Sequence, residues 1–247
     1  MKWVLRIALI LYFLFVIVPE YVLAGPVSAP PAAQVDIKKQ EDTNDYFQYQ
    51  LNTPQFSGLS SSSFAEKLNA YYETNIQTFK KKLKKDAKQA YEETQDPASF
   101  HPYVVNVDHK VTYNAGPLLS LYVVYYQYTG GAHGMYEWRP DTFDIDKKKE
   151  LALKDLFRKD SNYMEVIVQH VKEQIEQNPN AYFPDAAAQA EKATTFKFFL
   201  EPDHLVIYFP LYEIAPFAAG IPQFRIPYTL LSGQLKEKYA DALVGHS

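Results

Sequence analysis

The chain contains no cysteine. Disulfides, thiolate metal ligands and thiol nucleophiles are therefore excluded, as is a lipid-modified cysteine at a processed N-terminus. Stability has to come from an apolar core, which 247 residues with 47% hydrophobic side chains are able to build. Histidine is sparse and scattered. His101, His109, His133, His170, His204 and His246 form no H-x-x-x-H, H-E-x-x-H or H-x-H arrangement, so the signature of a hydrolytic zinc site is missing. G-x-S-x-G and S-x-x-K are also missing, which removes the recognisable serine-nucleophile motifs. No glycine-rich segment has phosphate-loop spacing. Thr142-Phe143-Asp144-Ile145-Asp146 separates its two aspartates, unlike the adjacent pair of polysaccharide deacetylases, and reads as an alternating strand ending in a turn. Charge of one sign is lacking too. The formal net charge of −4 points away from nucleic acid and suits a basic partner.

What is present begins with a leader. Lys2 and Arg6 precede an apolar run over residues 7–18 that Pro19 interrupts, and Val22-Leu23-Ala24 offers small or branched residues before a cleavage point. This is signal-peptide architecture. The run is shorter than the roughly 20 residues of a spanning helix. The expectation is a signal peptide over 1–24, with an uncleaved anchor as the alternative and membrane contact only in that case. Cleavage would remove Lys2, Arg6 and Glu20 and take the charge from −4 to −5. Residues 25–45 read as a flexible linker.

Beyond the linker the pattern tightens. Residues 46–51 read as a strand ended by Thr53-Pro54. Ser60 to Ser63 offer capping chemistry before a long helix, with apolar Phe64, Leu68, Tyr72, Ile76, Phe79, Leu83 and Ala87 on one face. Its lysines, Lys80, Lys81, Lys82, Lys84, Lys85 and Lys88, read as a solvated face, or as a contact to anionic polymer in an envelope adaptor. Residues 103–113 and 118–128 predict a hairpin across Asn114-Ala115-Gly116-Pro117, and residues 135–145 a third strand. A second helix is expected near residues 162–177, and a second hairpin around Glu201-Pro202-Asp203-His204. Residues 212–228 read as extended and irregular, and residues 232–247 as a tail that is weakly helical or loose. The implied class is α+β, an antiparallel sheet with two main helices packed on one face. The pieces are a strand-plus-helix subdomain over 46–98 and a C-terminal subdomain over 99–231. Twenty tyrosines suit sheet surfaces and binding faces alike.

Two segments stand out as binding hardware. Tyr128-Thr129-Gly130-Gly131-Ala132-His133-Gly134 ends an aromatic strand in a glycine-rich loop. Pro210-Leu211-Tyr212-Glu213-Ile214-Ala215-Pro216-Phe217 and the residues to Pro222 form a proline-stiffened segment with aromatic projections. Gly130, Gly131, His133, Gly134, Pro210, Tyr212 and Glu213 are the candidate partner-binding residues. Tyr212 would be the anchor and Glu213 a carboxylate facing a basic partner. No catalytic residue, metal ligand or cofactor is assigned.

In order along the chain, residues 128–134, Leu153-Lys154-Asp155-Leu156-Phe157, Phe199-Leu200 with Asp203, residues 205–209, residues 212–220 and Ile226-Pro227-Tyr228 resemble the extracellular domain of RsiV-type anti-sigma factors. The same module accompanies the deacetylase domain of PdaC-like proteins. The resemblance spans residues 46–231 and implies an α+β receptor domain rather than an enzyme. It implies a lysozyme-type muramidase or peptidoglycan as partner, and a secreted or envelope-associated protein. Only six residues precede the apolar run and no deacetylase domain follows, so sigma-factor regulation and deacetylation are not carried over. A cell-wall hydrolase or deacetylase with an unrecognised carboxylate or His133 site stays open as the alternative, because paired acids need no motif.

Overall fold

The structure, a computed structural model, describes residues 32–244; the leader lies outside the described residues. The described residues fold into two sheets. The larger holds β1 (Gln34–Thr43), β2 (Phe47–Ser57), β3 (Tyr103–Ala115), β4 (Leu118–Tyr128), β5 (Met135–Asp144) and β6 (Lys149–Glu150), side by side in that order. The smaller holds β7 (Lys197–Leu200), β8 (His204–Tyr208) and β9 (Gln223–Pro227), all antiparallel. The α+β class is as expected. The larger sheet is antiparallel except between β2 and β3, which run parallel over Phe47–Leu51 and Tyr103–Val107. A parallel pair needs a long crossover, and the 32-residue helix α1 (Ser62–Glu93) supplies it.

The apolar stripe read from the sequence places α1. Phe64, Leu68, Tyr72, Ile76, Leu83 and Ala87 are buried, whereas Phe79 is half-buried and packs edge-on against Tyr125 at 5.0 Å. The lysine face is solvated: Lys82 and Lys88 pair within the helix with Asp86 and Glu92, and Lys80 lies 4.6 Å over the Tyr49 ring. The second main helix, α2 (Tyr163–Gln177), packs instead on the smaller sheet with α3 (Ala186–Lys192), α4 (Tyr228–Leu231) and α5 (Glu237–Leu243). Each sheet therefore carries its own main helix.

Strand β4 joins the two units because both of its faces are buried. Leu119, Leu121, Val123 and Tyr125 face the α1 core. Ser120 and Tyr122 face the smaller sheet, where the Ser120 hydroxyl accepts the Leu200 N–H at 3.0 Å and Tyr122 packs on Phe199.

Four segments differ from the sequence reading. Residues 34–43, expected within the flexible linker over 25–45, form edge strand β1. Its charged residues suit an edge, where they discourage pairing with other chains. β2 does not stop at Thr53-Pro54 but runs to Ser57. β3 pairs with it only as far as Leu51, so Pro54 has no ladder on that side to break. Residues 223–227, expected as irregular, complete the smaller sheet with Phe224 and Ile226 buried. The tail, expected as weakly helical or loose, does contain a helix, α5, but differs in being packed, since its Tyr239 and Leu243 enter the core.

Candidate functional site: an aromatic shelf between two loops

The two segments singled out in the sequence meet in space. His133 stacks on Phe217, with centroids 4.1 Å apart and planes 18° from parallel. Tyr212 stacks on the same Phe217 at 5.7 Å. Tyr136, the second residue of β5, meets Phe217 edge-on at 6.3 Å. These rings form an aromatic shelf at the far end of the β4–β5 hairpin.

Backbone geometry explains why the loops have this composition. Gly130 and Gly131 adopt φ values of 92° and 96°, where a side chain is strained. Both are exposed, with open space where a Cβ would point, so their role is to shape the turn. The Tyr128 hydroxyl donates to the Gly131 carbonyl at 3.1 Å and ties the loop to its strand. Gly134 serves close approach instead: a Cβ there would run into the Tyr126 ring. His133 Nδ1 lies 3.0 Å from the Gly134 carbonyl, an acceptor that only an N–H at Nδ1 can satisfy.

The second loop begins with a turn in which the Glu213 N–H donates to the Pro210 carbonyl at 3.2 Å. Tyr212 occupies that turn at φ 65° and is 47% exposed. A bulky residue held at positive φ with its ring in solvent is unusual. Ile214 and Ala215, both fully buried, anchor the loop, and the Phe183 N–H donates to the Ile214 carbonyl at 2.8 Å. Glu213, the residue after Tyr212, lines a groove that also contains Lys192 and Lys197.

The shelf rests on a packed foundation. Trp138 stacks on Tyr122 at 4.3 Å and 14°. The Tyr208 hydroxyl donates to the Trp138 carbonyl at 2.8 Å, joining the smaller sheet to β5. Burial, helped by Glu137, Asp141 and Glu213, pushes the Tyr208 phenol far up, so it remains a donor. Beside the shelf, Arg139 pairs with Glu137 and lies 4.1 Å over the Tyr125 ring.

The candidate residues thus separate by role. His133 and Tyr212 are brought together on Phe217, Gly130, Gly131, Gly134 and Pro210 shape the backbone of the two loops, and Glu213 lines the neighbouring groove with Pro210. Phe217 and Tyr136 were absent from the candidate set. Their signal was available in the aromatic alternation Tyr136, Trp138 and in the one large ring between Pro216 and Gly220. Among the described residues, no group of three or more His, Asp or Glu is placed to hold a metal ion.

A sheet carrying a long helix, followed by a smaller sheet with its own helices, defines the class of this protein, and comparison with known families gives that class a name. Residues 40–136 match the family model described as Deacetylase PdaC, and residues 154–229 match Protein of unknown function (DUF3298). The chain carries a PdaC domain and a DUF3298 domain in tandem and is distantly homologous to RsiV and PdaC. It is 29% identical over 218 residues to anti-sigma-V factor RsiV of Bacillus subtilis (strain 168), covering 81% of this chain and 69% of that protein. It is 26% identical over 214 residues to the peptidoglycan-N-acetylmuramic acid deacetylase PdaC of the same organism, covering 84% of this chain. The match spans 43% of the deacetylase, less than half its length. Its relatives thus include both an enzyme and a regulator. The fold is shared with a DUF3298 protein of Bacteroides fragilis, at TM-score 0.66 and 17% identity over 87% of this chain and 98% of that one. It is shared also with one of Pseudomonas aeruginosa PAO1, at TM-score 0.56 and 19% identity over 85% and 97%.

Proposed function

We propose that this protein is an exported, non-catalytic binding module of the cell envelope, and that the aromatic shelf is its contact surface for a lysozyme-type muramidase or for peptidoglycan. The observation that carries the reading is the His133–Phe217–Tyr212 stack. It unites both loops and leaves Tyr212 47% exposed on a braced turn. A rigid aromatic anchor loses little entropy on docking, and such residues dominate binding energy at interfaces. The homology to RsiV and the resemblance to RsiV-type ectodomains support the muramidase. The acidic chain complements a basic partner of that kind. The leader and the relationship to a peptidoglycan deacetylase support the envelope location.

The test is calorimetric titration of residues 25–247 with a c-type lysozyme, alongside an assay of muramidase activity. Saturable binding with inhibition is expected. Tyr212→Ala is expected to weaken binding by about 2 kcal/mol, roughly thirtyfold, without loss of fold. Gly131→Asp, which strains the φ of 96° at that position, is expected to weaken it as well. Unchanged affinity in both variants removes the shelf as the contact surface. Turnover of peptidoglycan by the wild type that is lost in His133→Ala would establish the enzymatic alternative.

A further inference from the structure

The Pro210–Glu213 turn has a second side. Tyr212 stacks on Phe217, and the next residue, Glu213, lines a groove between α3 and the start of β7. The floor of this groove is aromatic and fixed: Phe196, Tyr208 and Phe209 are 7%, 2% and 4% exposed, and Phe196 meets Phe209 edge-on at 5.8 Å. Its rim is charged. Lys192 closes α3 and Lys197 opens β7, and both line the groove with Glu213.

All three charged side chains are exposed, and none has an ion pair or side-chain hydrogen bond among the described residues. Neighbouring groups are already committed elsewhere. Glu191 pairs with Lys172 at 3.5 Å, and Gln189 donates to Asp185 at 3.0 Å. Two ammonium groups therefore share one groove with a single carboxylate and an apolar floor. A simple anion would use only the lysines. A ligand that satisfies every part carries a carboxylate for Lys192 and Lys197, an amine or amide N–H for Glu213, and an apolar side chain for the floor.

We infer that this groove is a second binding site, distinct from the shelf, for a short peptide ending in a free carboxylate. The shelf and the groove share the turn, so an occupied groove would brace the backbone that presents Tyr212.

The test uses the full chain and the tripeptide Lys-Ala-Ala as free acid, titrated calorimetrically beside its C-terminal amide and beside acetate. Saturable binding of the free acid is expected, with the amide and acetate each at least about tenfold weaker, the loss of one charge-assisted contact or of the apolar contact. The double variant Lys192→Ala/Lys197→Ala is expected to lose the free acid by at least the same factor while keeping its circular dichroism spectrum. Equal binding of acid and amide, no saturable binding, or full affinity in the double variant would each overturn the proposal. Lysozyme titration of that double variant separates the two readings, since it lacks nothing that the shelf uses.

Discussion

At the scale of single residues, glycines that look alike in the sequence have different physical duties. Gly134 leaves room for the Tyr126 ring, whereas Gly233 has open space around the place of a Cβ and no positive φ. Gly134→Ala is therefore expected to cost about 1–3 kcal/mol as Tyr126 is displaced, and Gly233→Ala to be near neutral. Urea denaturation of both variants checks this; equal stabilities would show that Tyr126 moves aside at no cost. Tyr212 illustrates the reverse problem. That an aromatic ring stands in this loop is legible in the sequence, but its φ of 65° is not, because the turn from Pro210 to Glu213 is held by the buried Ile214 and Ala215 behind it.

At the scale of elements, α1 is joined to β5 by one buried polar contact. The Tyr72 hydroxyl donates to an Asp141 carboxylate oxygen at 2.7 Å, and Asp141 is 8% exposed. Burial pushes the Asp141 carboxyl up to about 6; the Tyr72 hydrogen bond opposes this and Glu150 adds to it. An acid whose folded pKa lies above its unfolded value binds its proton more tightly when folded. Its contribution is therefore most favourable below about pH 4, and it declines as pH rises through about 6, by roughly 3 kcal/mol in all. Asp141→Asn keeps an acceptor for Tyr72 and cannot ionise. The stability gained by this variant over wild type is expected to grow between pH 4 and pH 7, as read by thermal melts across that range. A difference that stays flat with pH would show that Asp141 ionises without penalty. Other elements were set by partners rather than by pattern. β1 is mostly polar, with Val35 and Ile37 its only apolar residues, and becomes a strand because β2 offers it a ladder from Gln34 to Thr43. β9 becomes one because β8 does the same for Gln223–Pro227.

At the scale of the whole molecule, both ends of the described chain are pinned to the β3–β4–β5 region. The Asn114 side chain clamps Ala33 with two hydrogen bonds, at 2.9 and 2.7 Å. At the other terminus, Asp144 is fully buried and accepts from the Tyr239 hydroxyl at 2.8 Å, from the Lys238 ammonium at 3.1 Å and from the Lys147 N–H at 2.9 Å. Burial alone would raise the Asp144 carboxyl, but these donors outweigh it and hold it low. Tyr239→Phe removes one donor from a buried carboxylate and is expected to cost about 1–3 kcal/mol in chemical denaturation. An unchanged midpoint would show that Lys238 and Lys147 suffice. The Ala33 clamp lies at the Leu118 end of β4 and the aromatic shelf at its Tyr128 end. An 11-residue strand separates them by roughly 35 Å, so the chain enters the domain far from the proposed contact surface.

By itself the sequence determined the long helix α1, the β3–β4 hairpin, α2 and the α+β class. It also picked out the two loops, since these rest on local signals: apolar periodicity, turn chemistry, and glycine or proline where the backbone demands them. The tertiary structure decided the rest. That β2 lies parallel beside β3, that each main helix has its own sheet, that His133 and Tyr212 share Phe217 while Glu213 lines one groove with Lys192 and Lys197, and that the tail enters the core all depend on contacts between residues distant in sequence. Side-chain pattern within a segment carries no information about which distant segment will bury it.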